Sequence, residues 1–320
     1  MVTTKTKRPP VDSFADLIGG TPLVRLDFGP DAVATSYAKL ESVNPLASVK
    51  DRTALYMIEG AEQRGQLRPG NGTVVEASSG NTGIALAALC AARGYECVIV
   101  LPDNVTAERV QLLRSFGAEV VLAPYEDGYA AAVALAERIH AERPGSWFVC
   151  QHENPDNVRA HYATTGPEIW ADLDGRIDIL VCGYGTGGTL TGSAHYLKEQ
   201  NPAIRVVAVE PDRSPLLSRG FGGLHCIPGL NGGFLTSTTD AKCVDEVLTV
   251  SDDDAHSTAR LLARTAGLLV GVSSGAAAHA CRTLATRPDH AGKTIVTVFP
   301  DTGERYLSAL STSDDSSAPG

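Results

Sequence analysis

Apolar, β-branched runs alternate with alanine-rich stretches along most of this chain, and this alternation constrains its fold more than any other feature. Residues 72–78 and 96–102, for example, are typical of strands, and residues 81–94 are typical of a helix that Gly94 ends. Strands that are apolar on both faces and separated by helices indicate parallel sheets covered by helices. Because the series restarts near residues 150–160, the sequence predicts an α/β fold of two parallel-sheet lobes with a cleft between them.

Composition and charge exclude several classes of partner. The 320 residues are 43% hydrophobic and carry a formal net charge of −10, so the chain can form a substantial core but is repelled by nucleic acids and anionic membranes. Its sequence has no apolar run near the roughly 20 residues that span a bilayer. The basic start lacks the apolar core of a secretory signal. We therefore expect a cytoplasmic protein with a flexible arm at 1–14 and a disordered tail at 311–320.

The cysteines and histidines give no sign of a disulfide framework or a metal. The seven cysteines are an odd number, none belongs to a Cys-x-x-Cys pair, and several lie in apolar runs. The eight histidines show no spacing typical of zinc ligands. The sequence therefore predicts buried, reduced thiols and no metal site.

Two polar loops in the first half of the chain carry candidate functional residues. In NPLASVKDR, residues 44–52, Lys50 lies between a hydroxyl and an acid–base pair, a setting that a solvated surface lysine does not need. In SSGNTG, residues 78–83, hydroxyls and an amide precede a predicted helix, whose free N–H groups can take a carboxylate-sized anion. Ordinary helix capping by serine or asparagine is the alternative for this second loop.

Two further loops follow apolar runs in the second half. GYGTGGT, residues 183–189, fits a dinucleotide-binding pattern only loosely, which on this loop alone leaves a nicotinamide-dependent enzyme open. The same loop can also wrap a single phosphate with backbone N–H groups and threonine hydroxyls. GVSSGA, residues 271–276, places a hydroxyl at a helix start, where plain capping is the alternative.

Taken together, the four loops match the needs of pyridoxal 5′-phosphate. The lysine can form the Schiff base, the glycine loop can take the phosphate, the polar loop can take a substrate carboxylate, and the isolated hydroxyl can face the ring nitrogen. A nicotinamide enzyme would leave the other three loops without a role. The sequence therefore predicts a pyridoxal phosphate enzyme.

The motifs NPxxSVKDR, SGNTGIALA, TTGPEIW, GTGGTLTG, GVSSGA and GERYLS occur in this order along the chain. By these motifs the chain resembles the cysteine synthase (O-acetylserine sulfhydrylase) and cystathionine β-synthase family of fold-type II pyridoxal phosphate enzymes. The resemblance implies a tryptophan synthase β-like fold, with a small mobile α/β lobe at 45–153 and a large α/β lobe at 15–44 plus 154–310. It also implies a homodimer with the active site in the cleft between the lobes.

The resemblance further assigns roles to individual residues. Lys50 is implied to carry the cofactor and to act as the acid–base group, Asn81 to bind its phenolate oxygen, and Ser273 to face its pyridine nitrogen. The cofactor phosphate is implied to bind the glycine loop, Gly185, Thr186, Gly187, Gly188 and Thr189. The substrate carboxylate is implied to bind Ser78, Ser79, Asn81, Thr82 and Gln151.

The implied reaction is β-replacement on an activated L-serine, through an α-aminoacrylate intermediate, giving L-cysteine from sulfide. Unlike a carboxylate, the neutral hydroxyl of Ser273 does not keep the pyridine nitrogen protonated, which favours loss of the β-substituent over transamination or racemisation. The mouth loop CIPGLNGGF, residues 226–234, holds no arginine, whereas relatives that use O-phospho-L-serine carry one there. We therefore expect O-acetyl-L-serine as the donor.

Four positions depart from the usual pattern of this family and leave the nucleophile open. Ser78 stands in place of a threonine, His152 of an aromatic residue, Asn231 of a glycine and Asp301 of a serine. Of these, His152 and Asn231 are candidate specificity residues. The alternatives are homocysteine giving cystathionine, an amine giving a diaminopropionate-type amino acid, or O-phospho-L-serine as the donor.

Two other classes of function are also considered. Threonine and serine dehydratases present different asparagine-loop and ring-nitrogen motifs from those of this chain. A non-enzymatic role as a regulatory binding partner is opposed by the intact Lys50.

Overall fold

The computed structural model describes residues 10–307, so the predicted arm at 1–14 is described only from residue 10, and the predicted tail at 311–320 lies outside the described residues. Ten strands lie within this part of the chain: β1 Leu23–Leu26, β2 Thr35–Leu40, β3 Thr73–Ala77, β4 Glu96–Pro102, β5 Glu119–Ala123, β6 Ser146–Phe148, β7 Ile179–Gly183, β8 Arg205–Pro211, β9 Glu246–Val250 and β10 Thr294–Phe299. They form a small sheet, ordered β5–β4–β3–β6, and a large sheet, ordered β1–β2–β10–β7–β8–β9.

The same described range contains ten α-helices: α1 Lys50–Gln63, α2 Asn81–Arg93, α3 Ala107–Ser115, α4 Gly128–Glu142, α5 Pro155–Ala160, α6 Gly166–Asp172, α7 Gly188–Gln200, α8 Leu216–Arg219, α9 Asp252–Ala266 and α10 Val272–Ala285. The small sheet is parallel throughout. The large sheet is parallel except for β1, which pairs antiparallel with β2 at its edge. The predicted α/β class with parallel sheets is therefore confirmed, with one antiparallel edge strand added.

Apolar side chains fill both faces of each sheet, as parallel strands require. In the small sheet, Val74 packs into the cluster that contains residues of α1 and α2, and Val75 packs into the cluster that contains residues of α4. In the large sheet, Val206 packs with residues of α7, and Val207 packs with residues of α10. Each sheet is therefore covered by helices on both sides, and only strand ends and loops are free to form a site.

Most of the predicted elements are confirmed. The helix predicted at 81–94 is α2, and Gly94 follows it with φ +73°, the left-handed conformation that glycine adopts readily. The apolar run 147–151 also predicts a strand, but β6 ends at Phe148 and the backbone turns at Cys150, which has φ +50°. Six elements were not predicted: β1, β2, β9, α1, α5 and α8.

The lobe boundaries stay a prediction. Every strand of the small sheet lies within residues 45–153, and every strand of the large sheet lies within 15–44 or 154–310. The chain therefore passes from the large sheet to the small sheet once and returns once.

The seven cysteines are free thiols, and five of them are buried. The prediction that they are buried is wrong for Cys226, which is exposed on the mouth loop, while Cys150 is half-buried. Within residues 10–307, no helix is both long enough and apolar enough to cross a membrane. The same residues contain no group of three or more His, Cys, Asp or Glu side chains placed to hold a metal ion.

Candidate active site

The predicted loops lie at the carboxyl ends of parallel strands, where open α/β sheets place their ligands. Residues 78–83 follow β3 of the small sheet, and residues 183–189 begin at the last residue of β7 in the large sheet. Residues 271–276 include the start of α10. The fold brings these loops together with the start of α1. Residues that hydrogen-bond there are separated by as many as 259 sequence positions.

Lys50 is the first residue of α1, and the residues around it hold the start of this helix in place. Its backbone N–H donates to Ser48 Oγ at 3.2 Å, and Ser48 in turn donates to Asp51. The Lys50 Nζ lies 3.4 Å from Thr186 Oγ1 on the glycine loop. Burial lowers the pKa of Lys50 to about 8, against an opposing effect of the negative charge of Asp301. This lysine therefore loses its proton far more readily than a surface lysine.

The loop 78–83 contributes both a helix cap and polar groups that face a cavity. Ser78 Oγ accepts a hydrogen bond from the N–H of Gly83 at 3.1 Å, so the capping alternative holds for this residue. Thr82 Oγ1 donates to Gln151 Oε1 at 2.6 Å, which fixes two of the predicted carboxylate-binding side chains against each other. The Ser79 carbonyl accepts from Arg109 Nη1 at 3.0 Å.

The glycine loop is rigid and leaves a helix start open. Gly187 has φ +87°, and an added Cβ would collide with Thr239 Oγ1, so a side chain is excluded there. The Thr186 hydroxyl accepts from Asn157 Nδ2 at 3.0 Å. Within the described residues, no side chain caps the N-terminus of α7, so its first N–H groups are available to an anion. This arrangement fits a phosphate group.

Ser273 and Asp301 line the same space as Lys50 and Asn81. Ser273 is buried in the first turn of α10. Asp301, which replaces the expected serine, accepts from Asn81 Nδ2 at 2.8 Å and from the Tyr306 hydroxyl at 2.7 Å. Burial raises the pKa of Asp301, and these hydrogen bonds oppose the rise. The Asp301 carboxyl group thus fixes the position of the Asn81 amide through this hydrogen bond.

Most of the predicted site residues line two adjoining cavities. An inner cavity of about 60 Å³ is lined by Lys50, Asn81, Gly185, Thr186, Gly187, Thr189 and Ser273, together with Asp301. An outer cavity of about 240 Å³ is lined by Lys50, Ser78, Ser79, Asn81, Thr82, Gln151 and His152, among others. We call them the inner cavity and the catalytic cavity. Lys50 and Asn81 belong to both, so the lysine amine lies where the two spaces meet.

The two candidate specificity residues have different surroundings. His152 lines the catalytic cavity, and its burial, together with the nearby charge of Lys50, lowers its pKa to about 4. Asn231 lies outside both cavities, because its amide accepts from Ser214 Oγ at 2.7 Å and donates to the Ser214 carbonyl at 3.0 Å. The structure therefore places Asn231 as a support of the mouth loop and not as a free donor. Gly188 also lies behind the cavities, where an added Cβ would collide with Asn157.

The sequence analysis missed several residues that shape the site. Asn157 hydrogen-bonds the glycine loop, and Arg109 hydrogen-bonds the loop 78–83. The catalytic cavity also has aromatic walls, formed by Tyr129 and Phe234. None of these four residues lies in one of the six motifs that carry the family resemblance. Outside the four loops, the sequence pointed to three residues that line the cavities: Gln151, His152 and Asp301.

Comparisons with known proteins agree with this geometry. Residues 14–301 match the family of pyridoxal-phosphate dependent enzymes. A cysteine synthase of Staphylococcus aureus is 45% identical over 301 residues, which cover 93% of this chain and 96% of that protein. The chain therefore belongs to the pyridoxal-phosphate dependent enzymes, and within them to the cysteine synthase type. This confirms the resemblance drawn from the motifs, and pyridoxal phosphate is the cofactor of the family.

Two solved structures are similar over almost their whole length. A cysteine synthase from Entamoeba histolytica superposes with a TM-score of 0.92 at 38% identity, covering 96% of this chain and 92% of that one. An O-ureido-L-serine synthase superposes with a TM-score of 0.91 at 41% identity, covering 98% of both chains. Proteins with different products thus share this fold at nearly equal similarity.

Proposed function

We propose that this protein catalyses β-replacement on O-acetyl-L-serine, in which sulfide displaces acetate and L-cysteine forms. The observation that carries the proposal is the position of the Lys50 amine at the junction of the inner and catalytic cavities. There it lies between a phosphate-binding helix start and a loop suited to an amino acid carboxylate. The similarity to cysteine synthases supports the same activity.

The inner cavity and the adjoining part of the catalytic cavity would together hold pyridoxal phosphate. Residues 185–189 would bind its phosphate, and Asn81 and Ser273 would bind polar groups of its ring. When bound, the cofactor supplies an electron-withdrawing ring that makes the α-proton of the amino acid acidic. The buried hydroxyl of Ser273 carries no charge and so leaves the ring nitrogen without a strong proton donor. That environment favours departure of the β-substituent.

Lys50 would move the proton at the α-carbon of the substrate. Its lowered pKa supplies a neutral amine near physiological pH, which can remove the α-proton and later return it. Ser79, Thr82 and Gln151 would orient the substrate carboxylate, and the hydrogen bond between Thr82 and Gln151 keeps these groups from collapsing into the cavity. In the net reaction the Cβ–O bond to acetate breaks and a Cβ–S bond to sulfide forms.

O-phospho-L-serine is a second candidate donor, and one observation favours it. The mouth loop holds no arginine, but Arg109 lines the catalytic cavity beside Ser79. A guanidinium at this position can pair with a phosphate leaving group. A comparison of kcat/KM for the two donors in the wild type and in Arg109→Met decides between them. Loss of the contact with Ser79 should affect both donors alike, whereas loss of the charge should further reduce only the use of the phospho donor.

The test is product analysis with the cofactor-loaded protein, O-acetyl-L-serine and sulfide. We expect L-cysteine and acetate in equal amounts, and loss of at least roughly a thousandfold in kcat for Lys50→Ala. Lys242→Ala, on the exposed surface, is the matched control and should retain full activity. Formation of cysteine at the wild-type rate by Lys50→Ala would contradict the assignment. Product formation only with homocysteine or an amine would reassign the nucleophile.

We also propose that the protein is a cytoplasmic homodimer that binds neither nucleic acid nor membrane. The family resemblance supports the dimer, and the net charge of −10 supports the absence of polyanionic partners. Sedimentation should give twice the chain mass of 33.5 kDa. A monomer mass at micromolar concentration would contradict the dimer.

A further inference from the structure

Asp301 stands where the family usually has a serine, and the chain around it leaves room for a carboxyl group. Asp301 is the second residue after β10 and is 2% exposed. Its Oδ1 lies so close to Gly271 that a Cβ at position 271 would collide with it. The carboxyl group therefore fills a space that the glycine leaves beside the inner cavity.

The two carboxyl oxygens of Asp301 have different surroundings. Oδ2 accepts from Asn81 Nδ2 at 2.8 Å and from the Tyr306 hydroxyl at 2.7 Å. Oδ1 is buried and, within residues 10–307, has no hydrogen-bond partner. A buried oxygen without a partner is costly, so Oδ1 can still accept from a further donor.

The same contacts fix the orientation of the Asn81 amide. Its Oδ1 accepts from Arg305 Nη1, while its Nδ2 donates to Asp301. An ionised carboxylate only accepts hydrogen bonds, whereas a serine at position 301 could bond either end of the amide. Asp301 and Arg305 together therefore hold Asn81 as a donor at the point where it lines both cavities.

Lys50 and Asp301 are the only ionisable side chains among the described residues that line the inner cavity. The negative charge of Asp301 raises the pKa of Lys50, against the larger effect of burial. Burial raises the pKa of Asp301, and its polar neighbours oppose this rise: Tyr306, Asn81, Arg305 and Lys50. These neighbours favour the ionised carboxylate beside the lysine.

Three further ionisable groups lie near Lys50, and none of them replaces Asp301. Burial and the charge of Lys50 lower the pKa of His152 to about 4, and they also lower the pKa of His161, so neither imidazole is charged at neutral pH. Asp51, the next residue in the sequence, already accepts from the Leu46 N–H at 2.7 Å. Asp301 is therefore the counter-charge of the lysine.

We propose that Asp301 is a positioning residue, whose carboxylate stabilises Lys50 as an ammonium ion once the lysine has taken the α-proton of the substrate. The inference rests on the proposed function, because it concerns the proton that Lys50 moves. The electron pair of the C–H bond stays on the substrate, and the proton binds the lone pair of Lys50 Nζ. A buried ammonium ion is costly without a counter-charge, and a serine at position 301 would supply none.

The first test removes the charge of Asp301 but keeps its shape. Asp301→Asn retains an oxygen that can accept from Asn81 and Tyr306. When the cofactor-free variant is mixed with pyridoxal phosphate from pH 6 to 10, the loading rate should level off about one pH unit lower than in the wild type, because Lys50 has lost its counter-charge. A purely structural change would expose Lys50 and move the plateau towards pH 10.5. A plateau at the wild-type pH or above it would overturn the proposal.

Two further variants complete this measurement. Asp301→Ser restores the family's usual residue and should lower the pH of the plateau as well, so the test does not depend on the folding of Asp301→Asn. Asp212→Asn is the matched control, because it removes the same charge from an exposed position. Its plateau should coincide with that of the wild type. A shift as large in Asp212→Asn would overturn a specific role of Asp301.

The second test follows proton removal with the cofactor-loaded proteins and O-acetyl-L-serine, without sulfide. Asp301→Asn should release acetate in its first turnover roughly tenfold more slowly than the wild type at pH 7, as a change of one pH unit in the pKa of the proton acceptor implies. An unchanged rate would overturn the role of Asp301 in proton removal. Cofactor loading uses neither donor nor sulfide, so a wild type that loads normally but forms no cysteine would instead overturn the proposed function.

Discussion

At the scale of single residues, the site depends on groups held away from their usual protonation state. Lys50 is the clearest case, because burial favours its neutral amine while the negative charge of Asp301 favours the ammonium form. Asp301 is itself held by Asn81 and Tyr306. The carboxyl group that replaces the family's usual serine therefore acts on both the lysine and the asparagine of the cofactor site.

The lowered pKa of Lys50 predicts how cofactor loading depends on pH. Only the neutral amine attacks the aldehyde of pyridoxal phosphate, so the loading rate of cofactor-free protein should rise with pH and level off above about 8. A lysine with the ordinary pKa would give a loading rate that rises until about pH 10.5. The measurement is the growth of visible absorbance after mixing, from pH 6 to 10.

Lys50→Ala is the control for this titration, because nonspecific reaction with surface lysines remains in that variant. Its slow background is subtracted at each pH. A wild-type rate that continues to rise between pH 8.5 and 10 would show that the environment of Lys50 does not lower its pKa.

At the scale of elements, a buried ion network fixes the start of α1 against the large sheet. Arg52 is 1% exposed and pairs with Glu41 at 2.7 Å and Glu168 at 2.6 Å. Lys39 on β2 also pairs with Glu168, at 2.9 Å. Because Lys50 lies two residues before Arg52, the network positions the catalytic amine as well as the helix. The acid–base pair that follows Lys50 in the sequence is thus structural support for it.

Removing the guanidinium should be strongly destabilising. Arg52→Met leaves Glu41 without its ion-pair partner and Glu168 with Lys39 alone, and breaking a buried pair in this way costs about 3–5 kcal/mol in the free energy of unfolding. Arg176→Met is the control, since the Arg176–Asp174 pair is exposed at 79% and 82% and should contribute no more than about 1 kcal/mol. Urea titrations of both variants at pH 7 measure the difference. Equal losses would contradict a structural role for the network.

The same network gives a pH dependence with a defined sign. Burial raises the pKa of Glu168, but the hydrogen bond and charge of Arg52 outweigh it and hold the pKa at about 2. The pKa of Glu168 in the unfolded chain is near 4.5. The ion pair therefore contributes its full stabilisation above this pH, and the stabilisation is lost as the pH falls towards 2. The free energy of unfolding should fall less on acidification in Arg52→Met than in the wild type, because the variant has no Arg52–Glu168 ion pair at any pH.

At the scale of the whole molecule, two separate sheets are joined by contacts that cross the cleft. The bond from Asn81 to Asp301 links the helix after β3 to the chain after β10, and the Arg52 network links α1 to β2 and α6. The stack of Phe234 on Tyr129 adds an apolar contact at the mouth. These contacts predict that the two halves unfold together.

The two tryptophans allow this to be measured, because each reports on one half. Trp147 lies on β6 of the small sheet, and Trp170 lies on α6 beside the large sheet. We expect Trp147→Phe and Trp170→Phe, each with a single remaining fluorophore, to show coincident urea transitions by fluorescence and circular dichroism. Two separated midpoints would mean that the small and large lobes are independent folding units.

Local sequence patterns determined the elements that surround the site. The strand at 96–102 was predicted at its observed bounds and the helix at 81–94 to within one residue, because apolar periodicity and β-branched runs act over neighbouring residues. The motifs also identified the residues of the four loops and the cofactor. The strands β1 and β2 were missed, since they are short and only partly buried and carry a weak pattern.

Tertiary structure alone decided the distances between those loops. The contact of Lys50 with Thr186 spans 136 positions, and that of Asn81 with Asp301 spans 220, so no local pattern encodes either. The contact of Asn231 with Ser214 was likewise decided by packing. The sequence by itself thus determined which chemical groups this protein brings to its site. The packing of two sheets against their helices determined where each group lies, because burial, charge and cavity shape arise only from residues far apart in the chain.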